Sequence, residues 1–136
     1  MTVRLNPYLS FRSSAREAME FYRSVLGGTL ELTTFGEAGI TDYPGEEGKV
    51  MHSMLTTDLG LILMGADTPE VMEQTAGTNF AVSLSGDDDP TLRGYWTALA
   101  EDATDVMGLD TAPWGDSFGM LTDKFGIPWM VNIGAS

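Results

Sequence analysis

The chain has 136 residues, with 20 acidic side chains against 7 basic ones, a formal charge of −13 and no cysteine. An acidic balance of that size repels phosphate backbones and leaves no basic stripe for nucleic acid. The lack of Cys excludes disulfides, thiolate nucleophiles, iron–sulfur clusters and Cys-ligated zinc in one step.

A chain of this length forms one domain and buries roughly two-thirds of the surface its unfolded form exposes, so it needs no covalent staple. The opening MTVRLNPYL leads straight into a helix signal, with no apolar run long enough for a signal peptide or a membrane span. The expectation is a cytoplasmic protein with no membrane or nucleic-acid partner. Nine Met residues supply flexible, polarisable side chains that suit core filling or an adaptable apolar binding surface.

In chain order, residues 3–11 alternate, Val3, Leu5, Leu9 and Phe11 on one face and Arg4, Asn6, Tyr8 and Ser10 on the other, as in a half-buried strand. Pro7 donates nothing to a ladder, so no partner should need its missing N–H. Ser14-Ala-Arg-Glu17 reads as a capping box, and Ala15, Ala18, Met19, Tyr22 and Leu26 recur at helical spacing until Gly27-Gly28 stop the helix. Residues 30–35 read as a second strand. Residues 36–48, GEAGITDYPGEEG, form a polar loop; its glycines and short side chains predict few buried contacts, and Ile40 and Tyr43 make it a candidate lid. Residues 49–57 and 61–65 are two more strands hinged at Asp58-Leu-Gly60.

Residues 68–77 are a polar connector with some helical character, after which the order restarts. A constant shift lays Asn6 on Asn79, Leu9 on Val82, Phe11 on Leu84, Met19 on Leu92, Tyr22 on Tyr95 and Leu26 on Leu99, which is an internal repeat. Asp89-Pro90 supplies an N-cap and an N1 proline for a second helix whose stripe is Leu92, Tyr95, Trp96 and Leu99. Residues 105–109 make a poor strand, weakened by Gly108. Strands 118–122 and 127–133 then form a hairpin closed by Asp123-Lys-Phe-Gly126. The predicted organisation is α+β, one domain of two βαβββ modules, 1–67 and 78–136, joined by 68–77.

The final string WGDSFGMLTDKFGIPWMVN, together with NPYLSF, SAREAMEFYRSVLGG, KVMHSML and LILMGAD, resembles the PhnB-like branch of the vicinal oxygen chelate superfamily, the glyoxalase/bleomycin-resistance/dioxygenase proteins. The resemblance covers nearly the whole chain and implies paired βαβββ units around a concave cup. Alternation then turns Leu5, Leu9, Leu61, Leu63, Phe80, Val82, Trp129 and Val131 toward the helices. It turns Asn6, Tyr8, Ile62, Met64, Asn79, Ala81, Met130 and Asn132 toward the cup, and a small Ser53 under the helix adds Val50, His52 and Met54 to the cup side.

In metal-dependent members of the superfamily the ligands are His, Glu or Gln at positions that resemble Asn6, Met64, Asn79 and Met130 here. None of these is a usual ligand. Zinc, nickel or ferrous iron needs imidazole, thiolate or carboxylate donors, and this chain has one His and no Cys, so no metal and no cofactor is expected. Histidine is the residue type whose reference pKa lies near neutrality, so His52, the chain's one His, is the candidate general base; its bland alternative is a hydrogen-bonded strand histidine. Tyr8 can donate beside it, and Asn6, Asn79 and Asn132 can orient a polar ligand group. Met54, Met64 and Met130 would line the cup, while Trp114 and Phe118 either wall it or belong to the core.

No nucleophile elbow, P-loop or dinucleotide fingerprint occurs. Some PhnB-like sequences carry methyltransferase or DNA-binding labels, but no nucleotide-cofactor loop is present and the charge opposes DNA. The leading expectation is therefore a metal-free protein that binds an unknown small molecule. The alternative is an enzyme of the same superfamily, of metal-dependent lyase, isomerase or dioxygenase type, or one using His52 as its base. The resemblance and the exposed strand edges also imply a homodimer.

Overall fold

The periodicities resolve, in a computed structural model that describes residues 3–77 and 79–134, into one βαβββ order run twice. The two units are Met1–Thr75 and Ala76–Ser136; position 78, the expected start of the second module, lies outside the described residues. No helix among the described residues is long and apolar enough to cross a membrane.

In the first unit, β1 (Tyr8–Phe11), α1 (Ala15–Leu26), β2 (Thr29–Thr34), β3 (Val50–Thr56) and β4 (Ile62–Asp67) form a four-stranded sheet in the order β1-β4-β3-β2. The last strand returns parallel to the first, and the other pairings are antiparallel. The helix stripe Ala15, Ala18, Met19 and Tyr22 is buried against Leu9, Phe11, Val50, Leu55 and Leu63 of the sheet, themselves buried. At Gly65 a built Cβ would lie 3.0 Å from Met19 Sδ, which shows how closely α1 lies on β4.

The start of α1 departs from expectation. Ser14 occupies the N-cap position but makes no side-chain cap bond. Asp67, only 7% exposed, takes over: its Oδ1 accepts the N–H of Ala15 at 2.9 Å and its Oδ2 accepts the N–H of Val50 at 2.9 Å. A carboxylate on the first amides of a helix also complements the helix dipole. Where α1 ends, Gly28 has φ +98°, and a Cβ there would collide with the Thr56 carbonyl, so only glycine fits.

The connector contains no helix. Arg12 holds it instead, donating to the carbonyls of Pro69 at 2.9 Å and Met72 at 3.0 Å. The 36–48 loop is better tied than its composition predicts. Thr34 and Glu37 bond each other reciprocally, Tyr43 meets the buried Phe35 edge-on at 5.4 Å, and Gly36 N–H reaches Glu47 O at 2.9 Å. Glu46 then bridges Lys49 Nζ at 2.7 Å and the backbone N–H of Glu70 at 3.0 Å, latching the loop to the connector. Thr34's N–H and hydroxyl hold the Glu37 carboxyl below its ordinary range.

In the second unit, β5 (Val82–Gly86), α2 (Asp89–Leu99), β6 (Thr104–Thr111), β7 (Ser117–Thr122) and β8 (Pro128–Ile133) repeat the topology as β5-β8-β7-β6. The N-cap of α2 is Asp88 rather than Asp89, accepting from the N–H of Thr91 and moving Pro90 one position deeper. Leu92, Val131 and Ile133 form one core cluster, with Leu84, Tyr95, Trp96 and Leu109 against it, and Leu99, Leu121, Ile127 and Trp129 are buried as well. The weak strand is longer than predicted but exposed and irregular in register against β7. The closing turn has the expected form: Asp123, 2% exposed, accepts from the N–H groups of Phe125 and Ile127 and from Trp129 Nε1.

Four face assignments are corrected. Leu5 is 100% exposed, Leu61 38% and Phe80 48%, because each precedes its strand and β1 begins only after Pro7, whose carbonyl accepts the N–H of Met64. Val50 is buried on the α1 side and not with His52. A bulge between Thr33 and Thr34 pairs Thr33 with His52 but Thr34 with Val50, adding one residue and reversing the alternation there.

Candidate functional site

Directly paired strand residues share a face, so register alone builds the surface opposite α1. Tyr8 lies beside Met64, Met64 beside Met54, Met54 beside Glu31, and His52 beside Thr33. Ser53, on the other face, is buried and donates to Gly65 O at 2.6 Å, which fixes β3 against β4 and turns its neighbours His52 and Met54 outward. His52, Met54 and Met64 are half-buried, and Tyr8 is exposed. Tyr8 Oη lies 3.4 Å from His52 Nδ1, with ring centroids 5.9 Å apart and planes at 32°. Glu31 is the charged group on this surface that sequence reasoning missed; its strand alternation was visible, but its pairing with Met54 is a tertiary fact.

The second unit repeats the design with different chemistry. Met120 pairs with Met130, and Phe118 pairs with Asn132. Trp114, 60% exposed, meets Phe118 edge-on at 5.6 Å and donates its indole N–H to Asn132 Oδ1 at 3.4 Å. Asn132 Nδ2 in turn donates to Asp116 Oδ2 at 2.9 Å. Both ends of that amide therefore have protein partners, and Asp116 is a second residue that sequence reasoning passed over.

Of the residues singled out from sequence, the structure gathers Tyr8, His52, Met54 and Met64 on one sheet face, and Trp114, Phe118, Met130 and Asn132 on another. Asn6 is half-buried just before β1, and Asn79 is exposed before β5; neither side chain makes a hydrogen bond among the described residues. The four positions that would carry a superfamily metal, Asn6, Met64, Asn79 and Met130, offer two amides and two thioethers, a donor set that does not fit a divalent transition ion. Among the described residues no group of three or more His, Asp or Glu gathers that could hold one.

Known proteins share this fold. The family model described as Glyoxalase/Bleomycin resistance protein/Dioxygenase superfamily matches residues 4–131. Protein PA1353 from Pseudomonas aeruginosa superposes with a TM-score of 0.85 at 34% identity, covering 99% of this chain and 100% of that one. Protein YjdN of Escherichia coli K12 is 26% identical over 140 residues, 95% of this chain and 94% of its own. The PhnB protein from Bacillus cereus has the same fold, with a TM-score of 0.77 at 24% identity over 97% of this chain and all of that one, 100%. By its sequence motifs, its duplicated βαβββ topology and these matches, the chain belongs to the glyoxalase/bleomycin resistance protein/dioxygenase superfamily, the vicinal oxygen chelate proteins.

Proposed function

We propose that this protein binds a small organic molecule without a divalent metal, on the sheet face opposite α1, and that it works as a cytoplasmic homodimer. The observation that carries this reading is the Met54–Met64 cross-strand pair flanked by the Tyr8–His52 contact. Thioethers provide an adaptable apolar floor, and the phenol and imidazole provide hydrogen bonds at its margin. The Met120–Met130 pair with Phe118 and Trp114 makes a comparable surface in the second unit.

A thermal-shift screen of small aromatic and amphipathic molecules tests the reading. A true ligand raises the melting temperature by mass action. Its affinity should fall about tenfold or more, roughly 1.4 kcal/mol, in Tyr8→Ala and in Met64→Asp, and stay unchanged in the second-unit control Asp102→Ser. Hits indifferent to both site variants would move the site elsewhere.

The Tyr8–His52 contact also favours one catalytic variant of the reading, in which His52 takes a proton from the bound molecule. Turnover of an identified ligand, abolished in His52→Gln with binding retained, would establish it. For assembly, light scattering should give twice the 14.7 kDa chain mass at micromolar concentrations, and a monomer mass throughout would reject the dimer.

A further inference from the structure

The donors that disqualify a divalent metal favour a different ion. Thioether sulfur is soft and neutral; it holds zinc, nickel or iron poorly but selects cuprous copper, and imidazole accommodates it too. We propose that His52, Met54 and Met64 form a binding site for a soft monovalent d10 cation, Cu(I) in chemical class, on the face opposite α1.

Three observations carry this. First, Met54 and Met64 are direct cross-strand partners, which sets their Cβ atoms about 4.5–5.5 Å apart, and three rotatable bonds let each sulfur swing toward a shared point. His52 stands on the same face, two residues along β3 from Met54, a spacing of about 6.6 Å. The three side chains lie on one face of β3 and β4, the two central strands of the sheet, half-buried and still open to solvent.

Second, the histidine is positioned as a ligand would be. Its Nδ1 faces Tyr8 Oη at 3.4 Å, so Nδ1–H can donate to the phenol oxygen while Nε2, which has no hydrogen-bond partner among the described residues, keeps its lone pair for the metal. An imidazole anchored through its second nitrogen is the usual outer support of a metal-binding His. Third, the electrostatics suit a cation. The residues that register sets on this face include Glu31 and no Lys or Arg, within a chain of formal charge −13.

The second unit supplies an internal control. At one constant offset His52, Met54 and Met64 correspond to Phe118, Met120 and Met130, and the pairing of Met120 with Met130 repeats that of Met54 with Met64. The sulfur pair is duplicated but the imidazole is not, so the site belongs to the first unit alone. This inference stands apart from the organic-ligand reading, since either can hold without the other.

The test is an anaerobic titration of tag-free protein with Cu(I) in competition with bicinchoninate, paired with an Ag(I) titration followed by 13C-methyl NMR of the methionines. Wild type should withdraw one equivalent of Cu(I), and Ag(I) should shift the Met54 and Met64 methyls while leaving Met120 and Met130 in place. Met64→Leu and His52→Gln should each weaken Cu(I) binding at least tenfold, and Met130→Leu should not. Met→Leu conserves volume and is tolerated in cores, and the wild-type NMR arm needs no variant to fold. Phe118→His should raise the stoichiometry toward two. No withdrawal of Cu(I), equal shifts in both Met pairs, or unchanged affinity in Met64→Leu would overturn the proposal.

Discussion

Replacing Asp67 with asparagine separates the cap that the local sequence suggests from the cap that the fold uses. Asp67 accepts two backbone N–H bonds at 2.9 Å, from Ala15 and Val50, and the residue is 7% exposed. An asparagine side chain at this position could keep one of them and would point its own N–H₂ at the other donor. The loss combines one charge-assisted hydrogen bond, about 1.5–3 kcal/mol, with a buried N–H left unpaired, about 1–3 kcal/mol. Because these overlap, the expected cost is about 3 kcal/mol, a large share of the roughly 5–15 kcal/mol that stabilises a domain. Urea unfolding of Asp67→Asn should show a lower midpoint at an unchanged slope, since the exposed surface is the same. Ser14→Ala should cost under about 0.5 kcal/mol, whereas a working Ser cap would cost about 1. A Ser14→Ala penalty equal to or larger than that of Asp67→Asn would refute the assignment of Asp67 as the anchor of α1.

Gly119→Ala should destabilise by about 1–3 kcal/mol through overpacking, because a Cβ there meets Trp96 at 2.8 Å and the backbone of Leu109 at 3.1 Å. Trp96→Leu should recover part of that in the double mutant by thermal melting, and additive losses would show that the two do not touch. Elemental analysis of tag-free protein should find no stoichiometric zinc, nickel, iron or manganese; about one per chain, lost in His52→Ala, would contradict the donor argument. The loop latch predicts a pH window. Glu46 is held below the ordinary carboxyl range chiefly by its hydrogen bond from Lys49, and Lys49 is held above the ordinary amine range by the same bond. The Glu46 contribution is therefore complete above the ordinary carboxyl value and lost as pH falls through the lowered one. The Lys49 contribution is complete below the ordinary amine value and lost as pH rises through the raised one. Amide exchange in residues 36–48, corrected for intrinsic rates, should be flat through neutrality and accelerate in acid, and Glu46→Gln should remove the acid step; identical acid profiles in the two proteins would exclude the latch.

What was legible in the sequence was local. The repeat, the two helices, the Asp123–Gly126 turn and the alternation of β8 all follow from contacts between near neighbours, and the structure has them. The misplaced features depend on distant partners. Nothing near Ser14 signals that a carboxylate at Asp67 will cap its helix. Nothing between Lys49 and Ser53 signals the bulge that returns Val50 to the core side, since the extra residue is defined only against Thr33 and Thr34 of another strand. The same division runs through the candidate site. Alternation sufficed to place His52, Met54 and Met64 on one face, because one face of each strand lies under a helix. It also turned Asn132 to the face it occupies, but gave no view of the partners that hold its amide, Trp114 and Asp116, side chains set beside it by the hairpin's register and not by any spacing visible in one strand.

The central claim is that the face of the first sheet opposite α1 is a ligand-binding surface. The most direct measurement is 13C-methyl NMR of the nine methionines during titration with organic ligands from the thermal-shift screen. Saturable shifts concentrated at Met54 and Met64, weakened in Tyr8→Ala, are the predicted result. Binding that leaves both methyls unmoved while shifting others would contradict it.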